Sequence, residues 1–87
     1  MKNTEIKIGD VVNGLCYNCF GKTWYDMVTS VLYRKENAAM VEYVKDYGKT
    51  GYACLLFKDG KFSHSVASSD KTDEDFSEIK MHFDYAD

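Results

Sequence analysis

Tyr52-Ala53-Cys54-Leu55-Leu56-Phe57, then Lys58-Asp59-Gly60, then Lys61-Phe62-Ser63-His64-Ser65-Val66 is the stretch on which the fold turns. Two β-rich runs flank an Asp-Gly pair, the pattern of an antiparallel hairpin over 52–57 and 61–67. Side chains alternate between faces along a strand, so Phe62, His64 and Val66 share one face and Ser63 and Ser65 the other. The first face is the one expected to be buried. His64 on it reads as a satisfied core histidine rather than a ligand or a base.

The turn decides whether a thiol can meet that imidazole. A two-residue turn pairs Phe57 with Phe62, Leu55 with His64 and Cys54 with Ser65. A three-residue turn with Gly60 in a left-handed bulge pairs Leu56 with Phe62 and Cys54 with His64. Only the second permits a Cys–His dyad, and no Asn or Asp is placed to orient the ring. No catalytic set is assigned, and the chain is read as a non-enzyme.

Upstream, Ala39-Met40-Val41-Glu42-Tyr43-Val44 suits a strand and Gly48-Lys49-Thr50-Gly51 a loop. A short helix over 38–47 closed by Gly48 is the alternative. Thr23 to Lys35 reads as a helix, because Trp24, Met27, Val28, Val31 and Leu32 recur at i, i+3, i+4, i+7 and i+8. Thr23 and Asp26 resemble a capping box. The rival is a strand, since Val28, Thr29 and Val31 are β-branched and Tyr33 is aromatic. Further upstream, Thr4 to Ile8 alternates before a Gly9-Asp10 turn. Val11 to Tyr17 suits a second strand, interrupted at Asn13-Gly14.

Downstream, Thr72 to Tyr85 reads as a helix capped by Thr72, with Asp73, Glu74 and Asp75 in the first turn, where carboxylates favour the dipole. Phe76, Ile79 and Phe83 form a narrow apolar stripe. Asp73, Glu74, Glu78 and Asp84 fall opposite it, beside Met81 and Tyr85. Glu74 and Glu78 are a like-charge pair at i, i+4, unfavourable to an isolated helix. That face is not arranged for helix stability alone.

With 87 residues, 45% of them hydrophobic, and no proline, the chain is expected to be a single α+β domain over 1–87. Its architecture should be an antiparallel sheet of three to five strands packed against two helices. No apolar run approaches the ~18 residues of a membrane span, and the first seven residues lack a signal-like apolar stretch. A cytoplasmic protein, in a bacterial host cell, is the expectation. Cys16, Cys19 and Cys54 cannot all pair within one chain, so free thiols are expected. Cys16-x-x-Cys19-Phe20-Gly21-Lys22 resembles half of a zinc knuckle, but a structural zinc needs about four ligands. No metal or cofactor is expected. Were one bound, Cys16, Cys19, Cys54 and His64 would be its candidate ligands.

The formal charge of −3 hides an asymmetry. Residues 70–87 set Lys71 and Lys80 against Asp70, Asp73, Glu74, Asp75, Glu78, Asp84 and Asp87, and the rest of the chain is slightly basic. A nucleic-acid binder normally presents a basic patch. Here the concentrated charge is acidic.

The expected order helix, three strands, helix over about residues 23–85 resembles that of double-stranded RNA-binding domains. That family grips phosphates with a lysine-rich cluster at the start of its last helix. The matching stretch here, Ser68-Ser69-Asp70-Lys71-Thr72-Asp73-Glu74-Asp75, would repel them. In size, acidity and tyrosine content the chain is similar to small inhibitors encoded by phages and mobile elements, such as anti-CRISPR and anti-restriction proteins. That resemblance implies a stoichiometric inhibitor of a nucleic-acid-binding or nuclease complex. It would act on a basic protein surface through Asp70, Asp73, Glu74, Asp75, Glu78, Asp84 and Tyr85, without contacting nucleic acid or membrane. The alternative is a small zinc- or thiol-dependent binding protein built on Cys16 and Cys19.

Overall fold

The computed structural model describes residues 6–9, 11–13, 25–44, 48–67 and 71–86. Among these, strands β1 (Val11–Asn13), β2 (Tyr25–Lys35), β3 (Ala38–Val44), β4 (Thr50–Lys58) and β5 (Lys61–Ala67) precede one helix, α1 (Asp73–Tyr85). The strands form an antiparallel sheet in the order β1-β2-β3-β4-β5, and α1 lies across β4, β3 and β5. This is the expected α+β class with one helix in place of two.

The two faces of the sheet carry separate cores. Ala39, Val41, Tyr43, Ala53, Leu55 and Phe57 point to the side where Ile6 packs. Ala38, Met40 and Cys54 point to the other, against Ile79 and Phe83 of α1. Strands buried on both faces read as continuous apolar runs, and Ala38 to Val41 is such a run, every residue buried. This burial settles 38–44 as strand against the helical alternative.

The segment expected to be a helix over 23–35 is instead β2 from Tyr25 onward; Trp24 and Thr23 lie outside the described residues. Its pairing with β3 explains the misleading period. Val28 faces Tyr43 and Ser30 faces Glu42, which leaves Thr29 as an extra residue. Val31 faces Val41 and Tyr33 faces Met40, which leaves Leu32 as a second one. Each β-bulge stretches the two-residue repeat to three. Val28 and Val31 therefore share the Ile6 side, spaced as on a helix. Leu32 packs on the α1 side and Met27 is largely exposed, so no single apolar stripe exists. Thr29 Oγ1 donates to Glu42 O at 3.1 Å across the first bulge. The β-branched and aromatic residues decide this segment. The helix–three strands–helix order of RNA-binding domains consequently does not hold.

The hairpin forms where expected, but its register is neither of the two alternatives. Asp59 (φ 53°) and Gly60 (φ 78°) are both left-handed, as a two-residue type I′ turn requires. Phe57 then faces Phe62, while Leu56 faces His64, so Ser63 is bulged out. The bulge splits the expected Phe62-His64-Val66 face. Phe62 stays on the Ile6 side, edge-on to Phe57 with ring centroids 6.1 Å apart. Val66 turns to the α1 side opposite Cys54. His64 is exposed, not a core histidine.

The last helix matches its expected bounds. Thr72 caps it: Oγ1 accepts the Asp75 N–H at 3.1 Å, and the Thr72 carbonyl accepts the Phe76 N–H at 2.9 Å. Ile79 and Phe83 are buried and Phe76 half-buried. Burying side chains of this kind contributes about 1.5–3 kcal/mol each. At the amino end, residues 6–9 form a loop and turn where Thr4 to Ile8 suggested a strand. Only 11–13 of the expected strand 11–17 is described.

Candidate functional site

Helix α1 presents three different flanks because its residues step 100° apart. The flank toward β2 is cationic and aromatic. Tyr33 of β2 stacks on Phe83 (5.9 Å) and meets Phe76 edge-on (6.4 Å), and Tyr52 of β4 meets Phe76 edge-on at 5.3 Å. Lys35 lies 4.8 Å over the Phe83 ring and Lys80 lies 4.9 Å over Tyr33. Both lysines also engage Asp84: Lys80 Nζ donates to its carboxylate at 2.5 Å and Lys35 Nζ to its backbone carbonyl at 3.2 Å. Asp84, expected to contact a partner, is thus neutralised within the fold.

The outer flank carries the remaining acidic candidates. Asp73, Glu74 and Glu78 are exposed and, among the described residues, make no ion pair. Asp75 is half-buried, its backbone held by the Thr72 cap. Asp70 lies outside the described residues. Beside the free trio stand Met81, 50% exposed, and Tyr85, 80% exposed. The base of the helix is tied to the sheet by Lys71, whose ammonium pairs with Glu42 of β3. The hydrogen bond from that pairing, with the carboxylate's charge, raises the Lys71 pKa.

The third flank faces β5 and is incompletely packed. Between the C-terminal half of α1 and the β4–β5 hairpin runs an open groove of about 640 Å³. Leu56, Val66, Met81 and Tyr85 give it apolar walls, and His64 and His82 add two imidazoles. Sequence reasoning missed this groove. It depends on the bulge at Ser63, which turns His64 toward α1, and no local pattern announces that bulge.

The cysteine candidates do not converge on a metal or a dyad among the described residues. Cys54 is fully buried in the α1-side core, opposite Val66 and not His64. Burial pushes its thiol up from 9.0 to about 11, with the charge of Lys35 opposing. At neutral pH it is a protonated, unreactive thiol. No group of three or more His, Cys, Asp or Glu among the described residues is placed to hold a metal ion. Cys16 and Cys19 lie outside the described residues. Among the described residues, no helix is long and apolar enough to cross a membrane. Comparison with protein-family models, with curated proteins and with solved structures gives no match for this chain.

Proposed function

We propose that the chain is a small protein-interaction module that docks the outer face of α1 on a basic protein surface. The observation that carries this reading is the exposed acidic trio Asp73, Glu74 and Glu78, which among the described residues makes no ion pair and stands beside exposed Met81 and Tyr85. Exposed carboxylates steer a basic partner and fix its orientation. A large, flexible thioether and a phenol add apolar contact at low entropic cost. Asp73 and Glu74 favour the helix N-terminus, but the fold gains little from Glu78 or from exposed Met81 and Tyr85. Glu74 and Glu78 repel each other across one helical turn.

The reading extends to the partner's class. A basic protein surface large enough to accept this face is typical of a nucleic-acid-binding or nuclease complex. Carboxylates placed where such a complex holds phosphates would inhibit it stoichiometrically, inside a bacterial cell. Immobilised protein challenged with bacterial lysate tests this. The wild type should retain a basic protein at low salt and release it at high salt, and a D73K/E74K/E78K variant should not retain it. Retention of the same proteins on both columns, at both salt concentrations, would refute the reading.

A further inference from the structure

We propose that the groove between α1 and the β4–β5 hairpin binds a small amphipathic anion, an apolar chain or ring system carrying one carboxylate. The site adjoins the acidic outer face and shares Met81 and Tyr85 with it, but does not depend on the partner proposed for that face. Its volume, about 640 Å³, falls in the range of small-ligand pockets. Half-buried Leu56 and Val66 form apolar wall, and Met81 and Tyr85 extend it at the mouth. Such a surface favours an apolar body.

The polar groups specify the charge. The chain has two histidines, His64 on β5 and His82 on α1, and both line this groove with Lys58 of β4. None of the described lining residues is a carboxylate. This holds although α1 carries Asp73, Glu74, Asp75, Glu78 and Asp84 and the chain is net −3. Asp75 and Glu78 share the helical line of His82, two turns and one turn before it, but neither lines the groove. Ser63 Oγ lies 3.1 Å from His64 Nδ1. When the hydroxyl donates, the neutral ring carries its proton on Nε2 and offers it as a donor. Lys58 offers a full positive charge and, among the described residues, has no ion pair. One feature opposes an anion: the last turn of α1 ends here, and a helix C-terminus carries about half a unit of negative charge. The ammonium outweighs that half charge, and the imidazole donors add to it.

Fluorescence titration tests the assignment with 1-anilinonaphthalene-8-sulfonate as the anionic probe and N-phenyl-1-naphthylamine as its neutral counterpart. The folded protein should bind the anionic probe about tenfold more tightly or better, the scale of one charge-assisted hydrogen bond. Lys58→Glu should remove about that factor for the anion and leave the neutral probe within about twofold. Lys58 is exposed, so the fold should survive, and a cooperative thermal melt checks this. Lys58→Gln and a His64→Gln, His82→Gln pair provide milder variants with the same expected direction. Met81→Ser should weaken both probes. Decanoate should displace the anionic probe. Equal affinity for the two probes, indifference of the anion to Lys58→Glu, or failure of decanoate to compete would each overturn the proposal.

Discussion

Reversing Asp73, Glu74 and Glu78 to lysine tests the outer face of α1, but the variant is not thermodynamically silent. Asp73 and Glu74 occupy the first turn, where the exposed N–H ends make a carboxylate worth about 0.3–1 kcal/mol. Losing two such carboxylates and setting lysines there costs about 1–3 kcal/mol. Glu78 lies beyond the reach of the dipole, and its repulsion from Glu74 merely becomes a lysine–lysine repulsion. In a domain of this size 1 kcal/mol moves the melting temperature by about 4–8 °C. Reduced binding could therefore reflect a frayed helix. Thr72→Ala separates the two effects. It removes the Oγ1 that accepts the Asp75 N–H, costs a similar 0.5–2 kcal/mol or so, and leaves every charge in place. Each exposed ion pair with a partner is worth about 0.2–1 kcal/mol, and reversal turns attraction into repulsion, so three positions predict at least about tenfold weaker binding. Calorimetric titration against the captured partner, at low and high salt, measures this, since exposed charges are screened beyond about 8–10 Å at physiological ionic strength. Thr72→Ala should lower the melting temperature and preserve affinity. If it weakens binding as much as the triple reversal, or if neither variant alters the salt dependence, the charge argument is wrong.

Phe83→Ala should destabilise the protein by about 3–5 kcal/mol, because the ring is 7% exposed between Tyr33 and Lys35; urea melts showing less than about 1 kcal/mol would contradict the packing of α1. Cys54 links stability to alkaline pH. Its folded pKa of about 11 lies above the 9.0 of the unfolded thiol, so the unfolded chain loses the proton first and stability falls as pH rises from 9 to 11. The loss is about 2–3 kcal/mol, and a Cys54→Ala variant should lack it, seen as a wild-type curve that converges on the variant's with rising pH; parallel curves would refute the burial of the thiol. Deleting Ser63 removes the bulge and leaves Phe57 opposite Phe62 and Leu56 opposite His64, so it should cost less than about 1 kcal/mol. A collapse of the fold on that deletion would mean that the register is wrong.

The hairpin, β3 and α1 were legible because each is announced by local chemistry. Asp59-Gly60 supplies the two left-handed residues of a tight turn, Thr72 supplies a cap, and Phe76, Ile79 and Phe83 keep a helical spacing that the packed structure preserves. Strand β2 misled for a physical reason. A bulge is a relation between two strands, fixed by how many residues face each other across them. Its trace in one strand is only a changed spacing. Thr29 and Leu32 each add one residue, and an alternating strand then imitates the period of a helix. The β-branched Val28, Thr29 and Val31 and the aromatic Tyr33 were the better guide.

The same cause limited the reading of the surface. The acidic face of α1 was visible because charge and helical period both lie within one segment. That Lys35 holds the Asp84 carbonyl was not, because Lys35 arrives from a strand 49 residues away, whereas the Lys80–Asp84 pair lies one helical turn apart within the same segment. The groove is likewise a product of register. Were Ser63 paired in register instead of bulged out, the alternation of β5 would send His64 to the Ile6 side, and Phe62 and Val66 would lie on the same face. With the bulge, Phe62 completes one core while His64 turns toward His82 and the open flank of α1. One bulged serine thus divides β5 between supporting the fold and lining a candidate ligand site. Deleting Ser63 should consequently leave the groove intact, since the deletion keeps His64 opposite Leu56.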